Sequence, residues 1–478
     1  MSAGTTVLKF GGTSVADAAA CARVAEIVRA HGGPRPVVVV SALAGVTNTL
    51  FAAAGAAAAA GPAGVARVRD ALAEPLARHR AIARALLAPA AAAAFDAELD
   101  RAGAEMAAVL GRLAERPGAE EAALRDELVS YGERLSAALL AATLAAAGAR
   151  TRAVDARRCI VTDETYGNAA PLAAETERRT RAELLPLCAA GLVPVLGGYI
   201  AATRRGRTTT LGRGGSDYTA ALVGAALDAR EIQIWTDVSG VLTADPRVVP
   251  AARPIPRLSY AEAAELAYFG AKVLHPRTLQ PAADRRIPVR VCNSRAPGDP
   301  GTVIGAEGDR WPGAVKAIAH KTGITVLQIV SARMLGAYGF LRALFEVFDR
   351  HRTAVDVVTT SEVSVSLTLE DTGALAAIAA ELEALGRVAI ERDRAIVCVV
   401  GEGLRTTPGI AGRIFAALHD INVSLISQGA SQVNLTFVVE AARAPEAVRR
   451  LHARLLEDAG AAAAAAAAVP APLPAAPR

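Results

Sequence analysis

Four lysines, Lys9, Lys272, Lys316 and Lys321, stand among 52 basic side chains. Arginine has taken almost every other basic position, so a retained lysine marks a place where a compact ammonium does what a planar guanidinium cannot. For Lys316 and Lys321, chance retention is an equally good account. Lys9 opens Lys9-Phe10-Gly11-Gly12-Thr13-Ser14, and Lys272 lies in Phe269-Gly270-Ala271-Lys272-Val273-Leu274-His275-Pro276. A glycine pair straight after a strand lets backbone amides approach phosphate oxygens with no Cβ in the way, and a lysine at the strand end adds a mobile positive charge. The chemistry suggested is phosphate binding. It is not a Walker loop, because G-x-x-x-x-G-K-[ST] is absent, and a single strand-turn-helix of this kind is more often plain structure. His275, before a proline, reads as a structural hydrogen-bonding residue rather than a base or metal ligand.

A second glycine-rich stretch, residues 206–218, carries Arg207, Gly212, Arg213, Gly214, Gly215, Ser216 and Asp217 and leads into an apolar helical pattern at 219–227. Ser216 and Asp217 are expected to cap that helix, while the glycines expose amides near its positive end, a favourable place for phosphates. Among the carboxylates, Glu127 and Ser130 share a helix face and Glu133 follows three residues on. Carboxylates on helices are usually solvated. Trp235-Thr236-Asp237 and the turn containing Asp245-Pro246-Arg247 form a strand end and a loop, where open α/β sheets hold their ligands.

These groups need a scaffold, and the apolar pattern supplies one. Strands are expected at 6–10, 37–40, 151–155, 193–198 and 231–236, and helices at 15–30, over 51–116 with breaks at Gly61-Pro62, Pro75 and Pro89, and at 121–147. Strands apolar on both faces, alternating with helices, imply a parallel sheet covered on both sides. Residues 297–301 and 305–312 read as a linker. Beyond it the pattern repeats at an offset of 68 residues, with Val355-Asp356-Val357 falling on Val423-Ser424-Leu425 and Val365-Ser366-Leu367-Thr368 on Val433-Asn434-Leu435-Thr436. This is a duplicated βαββαβ unit. Residues 459–478 are nearly all Ala and Pro and read as a disordered tail.

Composition removes other classes. A chain of 478 residues, 52% apolar and 21% charged, suits about three domains. A net charge of +5 with scattered basic residues gives no basic cluster for nucleic acid or a membrane surface. The five cysteines are widely spaced with no C-x-x-C, which excludes a disulfide framework and reads as core residues in a reducing compartment. With no basic segment followed by an apolar run at the start, a cytoplasmic protein is expected.

KFGGTS, SALAGVTN, ELVSYGE, GRTTTLGRGGSDYTAAL, WTDVSGV with TADPRVV, and FGAKVLHP occur in this order. Together they resemble aspartate kinases of the monofunctional, lysine-sensitive type, over about residues 6–457. The resemblance implies an amino-acid-kinase fold for 1–305, a mainly parallel sheet between helices. Two α+β ferredoxin-like ACT units are implied at 315–392 and 393–458. It also implies transfer of the γ-phosphoryl group of ATP to the β-carboxylate of L-aspartate, with Mg2+ as the nucleotide's counter-ion, held on phosphate oxygens and water rather than in a protein metal site. Under the same resemblance Lys9 and Lys272 sit against the phosphates and Asp217 orients the lysines or the metal. Gly11, Gly12, Gly214 and Gly215 offer amides. Thr236, Asp237, Arg247 and Val273, with Lys272, hold the nucleotide. Ser41 and Thr47 line the acceptor site, Glu127 takes the aspartate ammonium and Arg207 its carboxylate. Related enzymes often carry Tyr where this chain has Leu242, a departure at the adenine. Met334, Phe340, Leu341, Val355, Asp356, Thr360, Ser361 and Glu362 match an effector pocket for an amino acid, with L-lysine ahead of threonine, and a homo-oligomer paired through the ACT units is implied. Two other readings stay open: a relative acting on a glutamate derivative, carbamate or nucleotide, and a silent amino-acid sensor.

Overall fold

The computed structural model describes residues 4–31, 36–115, 118, 120–270, 274, 276–309, 311 and 314–458. Lys272, Val273, His275 and the 459–478 tail therefore lie outside the described residues. The chain divides into two compact units, the first formed by 1–241, 256–260 and 273–307, the second by 242–255, 261–272 and 308–478.

The first unit runs β1 (Thr6–Phe10), α1 (Ala18–Ala30), β2 (Val37–Val40), α2 (Val46–Arg69), α3 (Ala73–Leu86), α4 (Pro89–Glu115), α5 (Glu121–Ala146), β3 (Thr151–Val154), β4 (Val161–Thr162), α6 (Ala173–Ala189), β5 (Val193–Gly197), β6 (Ile200–Thr203), β7 (Thr208–Thr210), α7 (Gly215–Ala226), β8 (Glu231–Thr236) and β9 (Arg257–Ser259). After α8 (Tyr260–Tyr268), which lies almost wholly in the second unit, α9 (Pro276–Asp284), β10 (Val289–Asn293) and β11 (Thr302–Gly305) complete it. Eight strands form one sheet in the order β3-β5-β2-β1-β8-β10-β11-β9, parallel except where β10 meets β11. Thr6–Phe10 and Val37–Val40 are buried throughout, as strands covered on both faces must be. The long helical stretch breaks near the expected places: Gly61 leaves helical geometry before Pro62, and α4 begins at Pro89. Pro75 instead sits in the first turn of α3, where a proline costs no hydrogen bond. Between the stretches read as linker, 297–301 and 305–312, Thr302–Gly305 adds a strand beside β10.

The second unit continues with β12 (Ala317–Val330), α10 (Phe340–Arg350), β13 (Val358–Thr360), β14 (Ser364–Leu369), α11 (Leu375–Leu382), β15 (Arg387–Val400), α12 (Ile410–Ala416), β16 (Leu425–Gln428), β17 (Asn434–Glu440) and α13 (Ala444–His452). The duplicated units share a single six-stranded antiparallel sheet, β13-β14-β12-β15-β17-β16. Two 14-residue strands, β12 and β15, make this possible, pairing from Ala317↔Val400 to Val330↔Arg387 with register shifts around Ile324. Ile318, Ala395, Val397 and Val399 pack with α12 and α13, whereas Leu327 and Ile329 pack with α10 and α11. The division at 392/393 read from the repeat thus falls inside β15, and the start of β12 packs with the second repeat. Short apolar runs marked the strand cores, but Arg387–Arg394 is polar enough to hide its half of β15.

Lys316 has a partner in the fold. Its ammonium lies 2.8 Å from Glu262 Oε2, with both side chains almost wholly buried, and Glu262 Oε1 accepts the backbone N–H of Glu402. Lys321 pairs with Glu370 at 2.5 Å and lies over the Tyr268 ring. All five cysteines are buried free thiols, and burial pushes those of Cys21, Cys159 and Cys292 up to about 12. No helix among the described residues is long and apolar enough to cross a membrane.

Candidate active site

Lys9 occupies β1 at the centre of the parallel sheet, in register with Val39 on β2 and Ile234 on β8. The strand ends one residue later, and the turn that follows is held by Gly11 N–H donating to Trp235 O and Ala44 N–H donating to Gly12 O. A Cβ on Gly12 would stand 2.8 Å from Ala42 O, so this close approach of two loops requires glycine. Ser41 N–H donates to Phe10 O, which ties the start of the second loop to the end of β1. The two loops leave the carboxyl ends of neighbouring parallel strands, the expected place for a ligand in an open sheet.

The opposing wall comes from the 212–217 loop and the start of α7. Gly214 is the N-cap with φ 73°, left-handed geometry that favours glycine, and no side chain caps the helix. The expected capping by Ser216 and Asp217 is therefore corrected: both lie inside the first turn. Asp217 turns to Lys9 instead, with Nζ 2.6 Å from Oδ1 and both side chains largely buried. Its position also suits the positive end of α7.

Lys9, Ser41, Thr47, Gly214, Gly215 and Asp217 line one cavity of about 520 Å³. Phe51, Tyr199 and Arg213 share it, and so does Glu133, which the sequence reading placed on the helix without a role. Glu133 is buried, and desolvation pushes its carboxyl up to about 8 against weaker pulls from Ala42 and Thr47. The structure does not bring Glu127 and Arg207 into this cavity. They line a separate one of about 530 Å³ with Arg112, Glu120, Tyr131 and Arg157. There Glu127 is paired with Arg112 at 2.6 Å, while Arg207 stacks over Tyr166 and reaches Glu120 at 4.0 Å. The two carboxylates of ELVSYGE are six residues apart, which turns them to different faces of α5. Asp126, beside Glu127, is buried too and accepts from Gly167 N, Thr210 N and Thr210 Oγ1. Buried carboxylates on an amphipathic pattern gave no advance signal beyond an otherwise apolar helix.

Gly11 follows β1, and Thr236 and Asp237 stand at the end of β8, where Thr236 Oγ1 donates to Asp237 at 3.2 Å. Arg247 belongs to the second unit and forms a forked pair with Asp245, closest at 2.6 Å, which holds Asp245 below the usual carboxylate range. Lys272 and Val273 fall outside the described residues. Among the described residues no group of three or more His, Cys, Asp or Glu converges as a metal site.

In the second unit Met334, Phe340 and Val355 pack against one apolar cluster. Leu341 is exposed on α10, Thr360 ends β13, and Ser361 and Glu362 form the exposed turn to β14. Ser361 bonds Ser364 side chain to side chain at 2.7 Å. Asp356 receives the Tyr268 hydroxyl at 2.5 Å on one oxygen, while its other oxygen is buried without a partner. Tyr268 was not anticipated, and no spacing links it to Asp356.

A central lysine, glycine-lined phosphate turns and a mainly parallel sheet define a carboxylate or phosphate kinase scaffold, and comparison with known proteins agrees. The Amino acid kinase family profile matches residues 4–293, and an ACT domain profile matches 397–455. The chain is 40% identical to lysine-sensitive aspartokinase 3 of Escherichia coli over 94% of its own length and 99% of the relative's. Two crystal structures of E. coli aspartokinase III are similar at 39% identity. The complex with aspartate and ADP (R-state) has a TM-score of 0.82, covering 94% of this chain and 99% of the other. The complex with lysine and aspartate (T-state) has a TM-score of 0.77, covering 95% and 99%. The chain belongs to the aspartokinase family, and its activity is phosphorylation of aspartate.

Proposed function

We propose that the cavity around Lys9 is where the γ-phosphoryl group of ATP meets the β-carboxylate of L-aspartate, and that the residues lining it divide the work as follows. The carboxylate is ionised at neutral pH, so its oxygen attacks phosphorus without a general base and ADP departs. Two anions must meet, and the protein's task is positioning and neutralisation. Lys9 supplies an ammonium at the phosphates, and Asp217 holds that ammonium in place. Gly11, Gly12, Gly214 and Gly215 offer amides free of side-chain obstruction. Ser41 and Thr47 border the acceptor. Bound Mg2+ supplies charge neutralisation on the phosphate oxygens. Thr236 and Asp237, with Arg247, Lys272 and Val273, take the nucleotide.

The observation that carries this reading is the Lys9–Asp217 pair set between two glycine turns in a cavity that also holds Ser41 and Thr47. Glu127 and Arg207, which line the separate cavity, remain the candidates for the aspartate ammonium and carboxylate. The relative crystallised with aspartate and ADP supports the substrate pair. The test is ATP turnover dependent on aspartate, with hydroxylamine trapping of the acyl phosphate. Turnover with a glutamate derivative, carbamate or a nucleotide in place of aspartate would instead support the other kinases, and none at all the silent sensor.

Regulation by L-lysine follows the same reasoning. The Tyr268–Asp356 contact supports an effector site because Asp356 holds a buried oxygen suited to an ammonium. The α8 helix that carries Tyr268 also carries Glu262, paired with Lys316, and Glu265, which accepts from Asn434. Exposed Leu341, Phe345 and Val358 support pairing with a second copy through this unit. Five free thiols with no disulfide support a cytoplasmic location.

A further inference from the structure

The loops that follow β1 and β2 are joined outside the cavity by a side chain to which the mechanism gives no part. Arg78, on α3, donates from Nη1 to Ala44 O at 2.9 Å and from Nη2 to Ala16 O at 3.3 Å. Ala16 follows the short helical turn Gly12–Val15, and Asp17 then caps α1 by accepting Ala20 N–H at 2.8 Å. Ala44 lies between Ser41 and Thr47 and precedes Gly45, the left-handed N-cap of α2. It is held on both sides, its N–H donating to Gly12 O and its carbonyl accepting from Arg78. Glu74, one turn back on α3, is exposed and stands 3.6 Å from Arg78 Nε, so the two carbonyls rather than an ion pair fix the guanidinium.

Two carbonyl oxygens that converge on one point repel, and a cation between them reverses the sign of that interaction. A guanidinium suits the place because its planar fork carries donors on both arms, so one rigid group bridges two acceptors; an ammonium is a point charge on a flexible stem. Amides in a glycine turn and hydroxyls in the facing loop stabilise a transition state only when both are held to a fraction of an ångström. Near the strand ends the loops are tied by Ser41 N–H donating to Phe10 O and Ala44 N–H to Gly12 O, and α5 holds Ser41 O through Ser136 Oγ at 2.7 Å. Arg78 reaches Ala16, at the far end of the β1 loop. We propose that Arg78 is a positioning residue for phosphoryl transfer, its guanidinium clasping the β1 and β2 loops so that the Gly11-Gly12 turn and the acceptor side chains Ser41 and Thr47 keep a fixed spacing. By this clasp α3 takes part in the reaction although no residue of it lines the cavity.

Arg80, two residues on, supplies the comparison. It pairs with Asp96 at 3.1 Å and Asp100 at 2.7 Å, joining α3 to α4 rather than to the loops. An arginine that merely anchored α3 would behave as Arg80 does.

This inference rests on the cavity around Lys9 being where ATP and aspartate meet, and the experiment separates the two. Full-length wild type, Arg78→Ala, Arg78→Lys and Arg80→Ala are assayed well below their melting transitions, with kcat and the KM values for aspartate and MgATP followed separately. Arg78→Ala lowers kcat by about tenfold or more with a smaller change in either KM, since loosened loops still bind both substrates but align them poorly. Arg78→Lys keeps the charge without the fork and retains at most about a third of wild-type kcat. Arg80→Ala leaves kcat within about twofold of wild type, whatever it does to the urea midpoint. Wild-type kcat in Arg78→Ala, full activity in Arg78→Lys, or an Arg80→Ala variant as slow as Arg78→Ala overturns the proposal. If Arg78→Ala does not fold, Arg78→Lys against Arg80→Ala decides it. Absence of aspartate-dependent turnover in wild type would instead overturn the reading of the site itself.

Discussion

Lys9 Nζ stands 2.6 Å from Asp217 Oδ1, joining the central strand of the parallel sheet to the first turn of the helix behind the glycine loop. A carboxylate here fixes the ammonium at one point, and a guanidinium cannot occupy that point with the same single contact. Lys9→Arg is therefore expected to lower kcat by about 10²-fold or more while circular dichroism and thermal melting remain those of wild type. Asp217→Asn keeps the shape but releases the ammonium, and its loss falls between wild type and Lys9→Arg. Wild-type turnover in Lys9→Arg would remove Lys9 from the chemistry.

The Lys316–Glu262 pair makes a prediction about stability. Removing one partner leaves the other charge buried and uncompensated, which costs about 3–5 kcal/mol. Lys316→Met or Glu262→Leu alone should lower the urea midpoint of the second unit strongly, and the double variant should recover most of the loss. If the single variants melt with wild type, the pair is not what holds α8 to the sheet.

Much of this architecture was legible because three regularities survive in the sequence. The unbroken Val37–Val40 run announced a strand buried on both faces, and the glycine pairs at 11–12 and 214–215 announced the two turns that meet around Lys9. The duplication at an offset of 68 gave the repeat. What stayed hidden depended on long-range packing. The polar first half of β15 is a strand because β12 lies beside it, not because of its own pattern. Glu133 looked like a surface carboxylate because its burial comes from the 41–47 loop and β5, distant in sequence. Lys316 looked like a leftover for the same reason, with its partner 54 residues upstream. Side-chain capping by Ser216 was a plausible local rule that a left-handed glycine displaced.

Acid sensitivity is expected from His79 on α3. Its ring is fully buried, Nδ1–H donates to Pro75 O at 2.7 Å, and Nε2 has no partner. Burial lowers its pKa from 6.5 to about 4. The unfolded chain takes up the proton near 6.5 while the folded chain refuses it until about 4, so stability falls as pH drops through that window. The total is about 3 kcal/mol. Urea midpoints of wild type and His79→Gln, measured across the window, check this: the pH slope should be shallower in the variant, and equal slopes would contradict it.

The effector reading is tested at Asp356, because there the structure offers a competition that can be shifted in either direction. Tyr268 donates to one oxygen of Asp356, so an ammonium-bearing effector has to displace that hydroxyl or share the carboxylate with it. Asp356→Ala removes the anchor and should raise the lysine concentration for half-inhibition by about tenfold or more, as loss of a charge-assisted hydrogen bond requires. Thr360→Ile, which crowds the end of β13 in the same unit, acts in the same direction. Tyr268→Phe removes only the competitor, and inhibition should then need less lysine. Titrations of aspartate-dependent turnover with lysine, and with threonine and methionine as controls, read all three variants. A regulatory carboxylate predicts opposite shifts for Asp356→Ala and Tyr268→Phe, whereas a merely structural contact predicts that both variants move together.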